Sequence, residues 1–319
     1  MDNRKVARVL ITAGMVLGLS MTAQAQEVLR VGKPVWESAA FAVLEVGMEI
    51  GAFSERGISI ESQAFGGQGA LTQALTGGVV DIALMSGSAM ALIPNDAPFS
   101  AVAEFASQPL SMVVIVEANS PIDGVDDLQG QTLAVTSTTA LTASLARLMS
   151  NEMGWGVDGI PVVGLGATEA QWAGVVSGNA AGMVAGIEFA HTLETAGQGR
   201  VAVVIGDHVQ HFVTHAIFAA NPLIDQKPEV VRDFVAGFLE AVAYCQENPE
   251  DAARIIAPII QQSEEASLEL LNRQSDMFRA DGRFLPEDME VMIDLFMDQG
   301  LFTERLDPAS LFTEAFLPN

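Results

Sequence analysis

Cysteine, tyrosine and lysine are nearly missing from this 319-residue sequence, which has one cysteine, one tyrosine and lysine only at positions 5, 33 and 227. A single cysteine cannot form an internal disulfide, and Cys245 lies in an apolar helical pattern that predicts core packing. Positive charge is scarce too, because 15 lysine and arginine residues face 40 acidic ones, for a net charge of −25. Such a surface repels nucleic acid and anionic lipid, so we expect neither as a partner.

The first 25 residues predict a signal peptide. Positions 4, 5 and 8 are basic, and an apolar run covers residues 9–21. Ala23-Gln24-Ala25 then supplies the small residues that signal peptidase accepts, so we expect cleavage near Ala25. The apolar run is shorter than the roughly 20 residues that span a bilayer, which disfavours the alternative of an uncleaved anchor. We therefore expect a chain exported to the periplasm.

Short β-like runs alternate with longer helical patterns from Val28 onward, which predicts an α/β fold with mostly parallel strands. The pattern restarts at Thr132, which indicates a second lobe, although no internal repeat stands out. Apolar runs at 110–119 and 212–219 predict two crossings between the lobes, and such a double hinge allows closure around a ligand. The predicted lobes are residues 26–115 with 214–319, and residues 116–213.

Loops rich in glycine or hydroxyl residues follow several predicted strands and precede helices. This arrangement gathers unpaired backbone N–H groups at the carboxyl edge of a sheet, where open α/β folds bind ligands. The candidates from this pattern are Gly66, Gly67, Ser86, Ser88, Ser137, Thr138 and Thr139. The alternatives are that the glycines serve only a tight turn and that the hydroxyls cap their own helices.

Several stretches, taken in order, resemble one family of exported proteins. They are Leu29-Arg-Val-Gly32, Gly51-Ala-Phe-Ser-Glu-Arg-Gly57, Gly66-Gly67 before Leu71, Leu75-Thr-Gly-Gly-Val-Val-Asp-Ile-Ala83, Ser120-Pro121 and Val125-Asp-Asp-Leu-Gln-Gly-Gln-Thr-Leu-Ala-Val135. In this order the chain resembles the periplasmic substrate-binding proteins of the nitrate, sulfonate, taurine and thiamine-pyrimidine ABC transporters. The resemblance implies a type II periplasmic-binding-protein fold, with two Rossmann-like lobes, a double hinge and a helical C-terminal segment.

The resemblance also implies positions for the ligand cleft. Its first loop corresponds to Val35, Trp36 and Glu37, where Trp36 could stack on a flat ligand or belong to the core. Glu188 would face the cleft from the second lobe and bind an amine or a ring N–H, unless it is a solvated loop charge. The sequence departs from the family here, because Gly182 replaces an aspartate and no proline follows Glu188.

All four histidines lie between residues 191 and 215, and Asp207, His208, His211 and His215 raise the question of a metal site. Their spacing fits no compact zinc signature, and on a strand His208 and His211 would face opposite sides. We therefore expect no metal and no cofactor. His215 is interpreted as a hydrogen-bonding residue of the hinge or the cleft.

The function implied by the resemblance is solute capture without catalysis. We expect a monomer that binds a small-molecule ligand, such as a pyrimidine precursor or an amino-sulfonate, and delivers it to an ABC transporter permease in the inner membrane. The alternatives within transport are nitrate or an aromatic carboxylate. The alternatives of another class are a bilobal enzyme acting on a pyrimidine and a partner of a membrane sensor kinase.

Overall fold

Strands and helices alternate along the chain, as the sequence predicts. The computed structural model describes residues 26–138 and 140–318, with ten strands and ten α-helices in these ranges. The predicted signal peptide and the candidate Thr139 lie outside the described residues. Within residues 26–138 and 140–318, no helix is both long enough and apolar enough to cross a bilayer.

The strands form two five-stranded sheets. The first sheet has the order β2-β1-β3-β10-β4, from β1 (Glu27–Lys33), β2 (Ile58–Ala64), β3 (Ile82–Ser86), β4 (Phe99–Ala106) and β10 (His215–Ala220). The second has the order β7-β6-β8-β5-β9, from β5 (Met112–Glu117), β6 (Leu133–Val135), β7 (Val162–Gly164), β8 (Gly182–Gly186) and β9 (Gly199–Val204). In each sheet one strand, β10 or β5, runs antiparallel to both neighbours. The predicted α/β fold with mostly parallel strands is confirmed.

Ten helices cover the sheets. They are α1 (Ala39–Glu49), α2 (Gln68–Thr76), α3 (Leu141–Glu152), α4 (Thr168–Val176), α5 (Ile187–Thr195), α6 (Asn221–Gln226), α7 (Pro228–Glu247), α8 (Pro249–Ile260), α9 (Glu264–Gln274) and α10 (Pro286–Asp298). We call the first sheet with α1, α2 and α6 to α10 the first lobe. The second sheet with α3, α4 and α5 is the second lobe.

The longest helix, α7, shows how the sequence pattern builds the core. Pro228 occupies its first turn, where a missing N–H costs nothing. Val231, Phe234, Val235 and Phe238 recur at the spacing of one helix face, and all four are fully buried. Burying each such side chain contributes roughly 1.5–3 kcal/mol.

The single cysteine lies on the same helix. Cys245 is buried, as predicted, and is a free thiol. Burial raises the pKa of this thiol to about 12, so Cys245 stays protonated at neutral pH and acts as a small apolar side chain.

Four elements differ from the sequence prediction. Strand β4 was not predicted, because it is buried along nearly its whole length and therefore lacks the alternation of a half-exposed strand. Helix α5, which carries Glu188, and the short helix α6 were also missed. The helix predicted after Ser86 is instead the 3-10 segment Gly87–Asn95, whose last residues include Pro94.

Two chain segments connect the sheets. The first crossing, residues 107–111, leads from β4 to β5, and the second, residues 205–214, leads from β9 to β10. The predicted crossings at 110–119 and 212–219 overlap these segments but extend into β5 and β10. The lobe boundaries predicted at residues 115/116 and 213/214 stay predictions.

The two crossings are tied to each other. Thr214 Oγ1 donates a hydrogen bond to the Ser107 carbonyl oxygen, and Gln108 Nε2 donates to the Gly206 carbonyl oxygen at 2.7 Å. A Cβ atom at Gly206 would lie 2.9 Å from Leu110 N and 3.1 Å from Leu110 Cα. Only glycine allows the backbones of the two crossings to approach this closely.

We expect Gly206→Ala to lower the free energy of unfolding by roughly 1–3 kcal/mol, because the new methyl group meets backbone atoms that cannot rotate away. Urea denaturation measures the change. Gly124→Ala is the matched control, since Gly124 has extended backbone and no described atom within 4 Å of a Cβ there. A G206A protein as stable as G124A would contradict the close approach.

A pair of acidic side chains anchors α10 near the second crossing. Glu104 on β4 and Asp288 on α10 are fully buried, and burial and the Asp288 charge raise the pKa of Glu104 well above its usual value. Glu104 Oε1 and Asp288 Oδ2 have no hydrogen-bond partner in the described part of the chain, so a shared proton would satisfy both. Asp288 Oδ1 lies 3.1 Å from Nδ1 of His211 in the second crossing.

This pair predicts how stability changes with pH. The folded protein holds the Glu104 proton more tightly than the unfolded chain, so the stabilisation is complete below the ordinary glutamate pKa of 4.5. It is lost as the pH rises through the raised value, at up to about 1.4 kcal/mol per pH unit. Glu104→Gln keeps a donor toward Asp288 at every pH, and we expect this variant to lack that slope.

Denaturation between about pH 5 and pH 9 measures the slope. Glu287→Gln is the control, because Glu287 is exposed and adjoins Asp288 in sequence, and it should keep the wild-type slope. The same slope in wild type and E104Q would show that Glu104 does not hold the proton.

Candidate ligand site between the lobes

The loops that follow β1 and β2 meet at the carboxyl edge of the first sheet. Gly67 N donates a hydrogen bond to the Pro34 carbonyl oxygen at 2.7 Å, and Phe65 N donates to the Lys33 carbonyl oxygen at 3.1 Å. Gly66 and Gly67 have φ values of +72° and +136°, which accounts for glycine at both positions. No described atom lies within 4 Å of a Cβ placed on either one, so this turn also leaves room for a ligand.

A glutamine that the sequence analysis missed connects the second loop to the third. Ser86 N donates to Gln68 Oε1 at 3.0 Å, and Gln68 Nε2 donates to Ser88 Oγ at 3.0 Å. Ser86 Oγ in turn accepts from Ser88 N at 3.4 Å. Ser86 therefore caps the 3-10 segment that follows it, which was one of the two alternatives, whereas the Ser88 hydroxyl bonds to Gln68 and to Ser86 Oγ. Their ligand contacts stay a prediction.

Trp36 lies in the first loop and is 38% exposed, so it does not belong to the core. One face of its ring covers the Lys33 ammonium, whose Nζ lies 4.0 Å from the ring centre. Lys33 is fully buried and pairs with Glu45 Oε1 at 2.7 Å. Burial lowers the pKa of Lys33, and Glu45 opposes this effect. The positive charge of Lys33 is therefore neutralised by α1.

The neighbours of Trp36 are exposed as well. Val35 is 41% exposed, and Glu37 Oε1 accepts a hydrogen bond from Gln261 Nε2 at 3.3 Å. The structure thus places Val35, Trp36 and Glu37 together on one exposed loop, immediately before the start of α1.

The corresponding loop of the second lobe follows β6. Ser137 and Thr138 are exposed, and the Thr138 carbonyl oxygen accepts a hydrogen bond from Arg147 on α3 at 2.7 Å. Arg147 is a basic residue near this loop that sequence reasoning missed, because it lies about two helical turns beyond the loop.

Arg147 also lines the groove of about 480 Å³ between α3 and α10. This groove includes Thr138, whereas Trp36, Gly67, Ser86 and Glu188 are not among its lining residues. Asp294 and Asp298 lie on the α10 side, and Gln299 Nε2 donates to Ser144 Oγ on α3 at 2.8 Å beside it. The groove therefore borders the loop that follows β6 and does not include the loops that follow β1, β2 and β3.

Glu188 makes the contact that joins the lobes at the site. It is the second residue of α5 and is 8% exposed, so it is not a solvated loop charge. Glu188 Oε1 accepts a hydrogen bond from Ala39 N, the first N–H of α1, at 3.0 Å. Ser38 precedes α1 but makes no side-chain capping bond, so the carboxylate of the other lobe caps the helix.

Two opposing influences act on this carboxylate. Burial raises the pKa of Glu188, and hydrogen bonds from the Ala39 N–H and from its own backbone N–H oppose the rise. Negative charge is stabilised at the positive N-termini of helices. Because α1 and α5 come from different lobes, one carboxylate serves two helix N-termini and can hold the lobes together.

His215 begins β10 and lies in an aromatic environment. Its ring centre is 4.5 Å from that of Phe41 and 5.6 Å from that of Phe105. Burial lowers the pKa of His215 to about 3, so the imidazole is neutral at physiological pH. Its Nδ1 atom has no hydrogen-bond partner among the described residues.

The other histidines of the sequence argument do not share a strand. Residues 208–214 form a loop, so the alternation argument for His208 and His211 was wrong. His211 lies beside Asp288. Within the ranges that the structure describes, no three histidine, cysteine or acidic side chains lie close enough together to hold a metal ion.

Comparison with known proteins gives matches over most of the chain. A family model described as NMT1/THI5-like matches residues 38–252. The riboflavin-binding protein RibY of Chloroflexus aurantiacus is 24% identical over 229 residues, which cover 66% of this chain and 63% of that protein. The match thus spans less than two thirds of this curated relative.

Solved structures share the fold. The periplasmic aliphatic sulphonate binding protein SsuA from Escherichia coli has a TM-score of 0.72 and 19% identity, over 90% of this chain and 92% of that chain. The desulfurization enzyme DSZB has a TM-score of 0.63 and 14% identity, over 91% of this chain and 97% of that chain. The predicted periplasmic-binding-protein fold is confirmed, and the chain belongs to the NMT1/THI5-like family of substrate-binding proteins that its sequence resembles.

Proposed function

We propose that this protein is the extracytoplasmic solute-binding component of an ABC importer and captures a small polar molecule between its lobes. The observation that carries the proposal is the Glu188–Ala39 hydrogen bond, which joins the first turns of α5 and α1 from the two lobes. A ligand that contacts both lobes at this point favours the closed state over the open one. Export, cleavage near Ala25, a monomeric state and delivery to a permease belong to the same proposal.

The charges around the site favour a ligand with N–H groups over an anion. Lys33 is neutralised by Glu45, and the first N–H of α1 already donates to the Glu188 carboxylate. A sulfonate, a nitrate or an aromatic carboxylate would have to displace Glu188 or lie beside it. A pyrimidine precursor, with amino and ring nitrogen groups, would instead donate to this carboxylate.

A flat ring also suits Trp36. One face of the indole lies over Lys33, and the side chain is partly exposed, so the remaining surface is available for stacking. The relative RibY is a riboflavin-binding protein, and riboflavin carries a flat, nitrogen-bearing fused ring. This relationship supports a ligand of the same kind. We therefore place nitrogen heterocycles first among the ligand classes and amino-sulfonates second.

An enzyme acting on a pyrimidine is the second candidate, because the desulfurization enzyme DSZB has the same fold. Thiol chemistry by Cys245 is disfavoured, since burial raises the pKa of this thiol to about 12 and the nucleophile would have to be the thiolate. Incubation of the protein with a bound pyrimidine, followed by chromatography, separates the two functions. Recovery of unchanged ligand supports a binding protein, and a new product supports an enzyme.

Ligand binding should depend on Trp36 and Glu188. A ligand at 100 times its Kd stabilises the folded protein by about 2.7 kcal/mol, which a thermal-shift assay detects. We expect Trp36→Ala and Glu188→Gln each to reduce the shift given by riboflavin or an aminopyrimidine, because they remove the stacking surface and the ionised acceptor.

Two exposed positions serve as controls for these variants. Glu194→Gln changes an acidic residue on the same helix as Glu188, and Val176→Ala changes an exposed apolar residue of the second lobe. Both should keep the full shift. If W36A and E188Q also keep it, these two residues do not belong to the site.

A further inference from the structure

Buried polar atoms without partners gather where the lobes meet. Gln274, the last residue of α9, is fully buried, yet its Nε2 and Oε1 atoms lack a hydrogen-bond partner among the described residues. The same holds, within that part of the chain, for Ser111 Oγ and His215 Nδ1, which are 4% and 5% exposed as residues. Buried polar side chains in native proteins nearly always have a partner.

These residues belong to one neighbourhood that includes Glu188. The Gln274 amide acts on the Glu188 carboxylate and opposes the rise of its pKa, although the two make no hydrogen bond of ordinary geometry. The Ser111 carbonyl oxygen accepts from Ile187 N at 2.9 Å, directly before Glu188. His215 contacts Phe41, which lies two residues after Ala39 on α1.

The chemistry of a primary amide limits what can satisfy Gln274. It offers one N–H donor atom beside one oxygen acceptor in a single plane. A heterocycle that presents an N–H next to a ring nitrogen or a carbonyl oxygen matches both atoms at once, as glutamine does when it forms a two-point contact with adenine. Aminopyrimidines and the imide edge of a flavin have this pattern, whereas taurine and nitrate do not.

We propose that Gln274 determines ligand specificity by binding a paired donor–acceptor edge of the ligand ring, beside the Glu188 carboxylate. The inference rests on the proposed function and makes it narrower, because it names the feature that the ligand must carry. The proposal thereby adds a residue from the C-terminal helices to the candidate site. A role for Gln274 in packing alone leaves both amide atoms without partners.

The test uses Gln274→Met, which keeps the length of the side chain and removes both polar atoms. Ser267→Ala is the matched control, because Ser267 is a fully buried residue of the same helix whose hydroxyl also lacks a partner among the described residues. Calorimetry with the purified exported protein gives the Kd for four probes: 4-amino-5-hydroxymethyl-2-methylpyrimidine, riboflavin, taurine and nitrate. The melting temperature of each ligand-free variant is measured in parallel.

We expect wild type and S267A to bind at least one heterocycle with the same Kd, and Q274M to bind it roughly 10- to 100-fold more weakly. The ligand-free Q274M protein should melt close to wild type, since Gln274 makes no hydrogen bond of ordinary geometry with any described residue. Lower melting of Q274M with unchanged affinity would identify Gln274 as a structural residue that binds internal water, and would overturn the inference.

The remaining outcomes separate the inference from the proposed function. Unchanged heterocycle affinity in Q274M overturns the inference alone, as does binding of taurine or nitrate with no binding of either heterocycle. No binding of any of the four probes by wild type overturns the proposed ligand class together with the inference. If Q274M does not fold, Gln274→Asn decides, because it retracts the amide by one methylene and should weaken binding in the same direction.

Discussion

One buried carboxylate, that of Glu188, lies between the first turns of two helices from different lobes. Each helix N-terminus carries roughly half a positive charge, and neither α1 nor α5 has a side-chain cap from the residue that precedes it. The carboxylate therefore belongs to both helices only when the lobes are together. When the lobes separate, Ala39 N loses its partner and water must replace it. In the proposed function, lobe closure and ligand recognition would both depend on this carboxylate.

The position of this carboxylate follows from a symmetry that the sequence conceals. The two sheets have the same strand order, and β3 and β8, like α2 and α4, begin at residue numbers 100 apart. In this correspondence Ser88 is equivalent to Glu188, and each is the second residue after its strand. Ser88 accepts a hydrogen bond from Gln68 within its own lobe, whereas Glu188 reaches the other lobe. The same place in the topology thus holds a neutral side chain bonded within its own lobe in one case and an acidic side chain bonded to the other lobe in the second.

The sequence predicts the helices and strands of this fold better than the contacts between them. Proline at 249 and the regular apolar spacing after it predict a helix from Pro249 to Ile260, and helix α8 has these bounds, because local spacing determines a helix of this kind. Strand β4 was missed, since this edge strand is buried along nearly its whole length and carries no alternating pattern. Lys33 and Glu45 are twelve residues apart, and no pattern in the sequence indicates that the one neutralises the other.

The residues of the candidate site likewise include some that the sequence predicts and some that it does not. Loop candidates such as Gly67 and Ser86 were accessible to prediction, because the carboxyl ends of parallel strands collect at one edge. Gln68 and the proposed site residue Gln274 were not, since a glutamine on a helix carries no signal until the fold shows what faces it. The sequence predicts a residue whose position depends on a single strand and the loop after it. It does not predict a residue whose role depends on the packing of two separate elements.

The side-chain hydrogen bonds between the lobes differ in charge. Gln299 donates to Ser144 beside the groove between α3 and α10, and Gln262 donates to Thr192 on α5 at 3.3 Å. Both of these bonds are neutral. Glu188 meets Ala39 immediately after the loop that carries Trp36. In the proposed function, an N–H donor or an anion that enters the site would act most strongly on the Glu188 contact, because its acceptor is a buried carboxylate. The chemical nature of the ligand would therefore act on closure mainly through the first turns of α1 and α5.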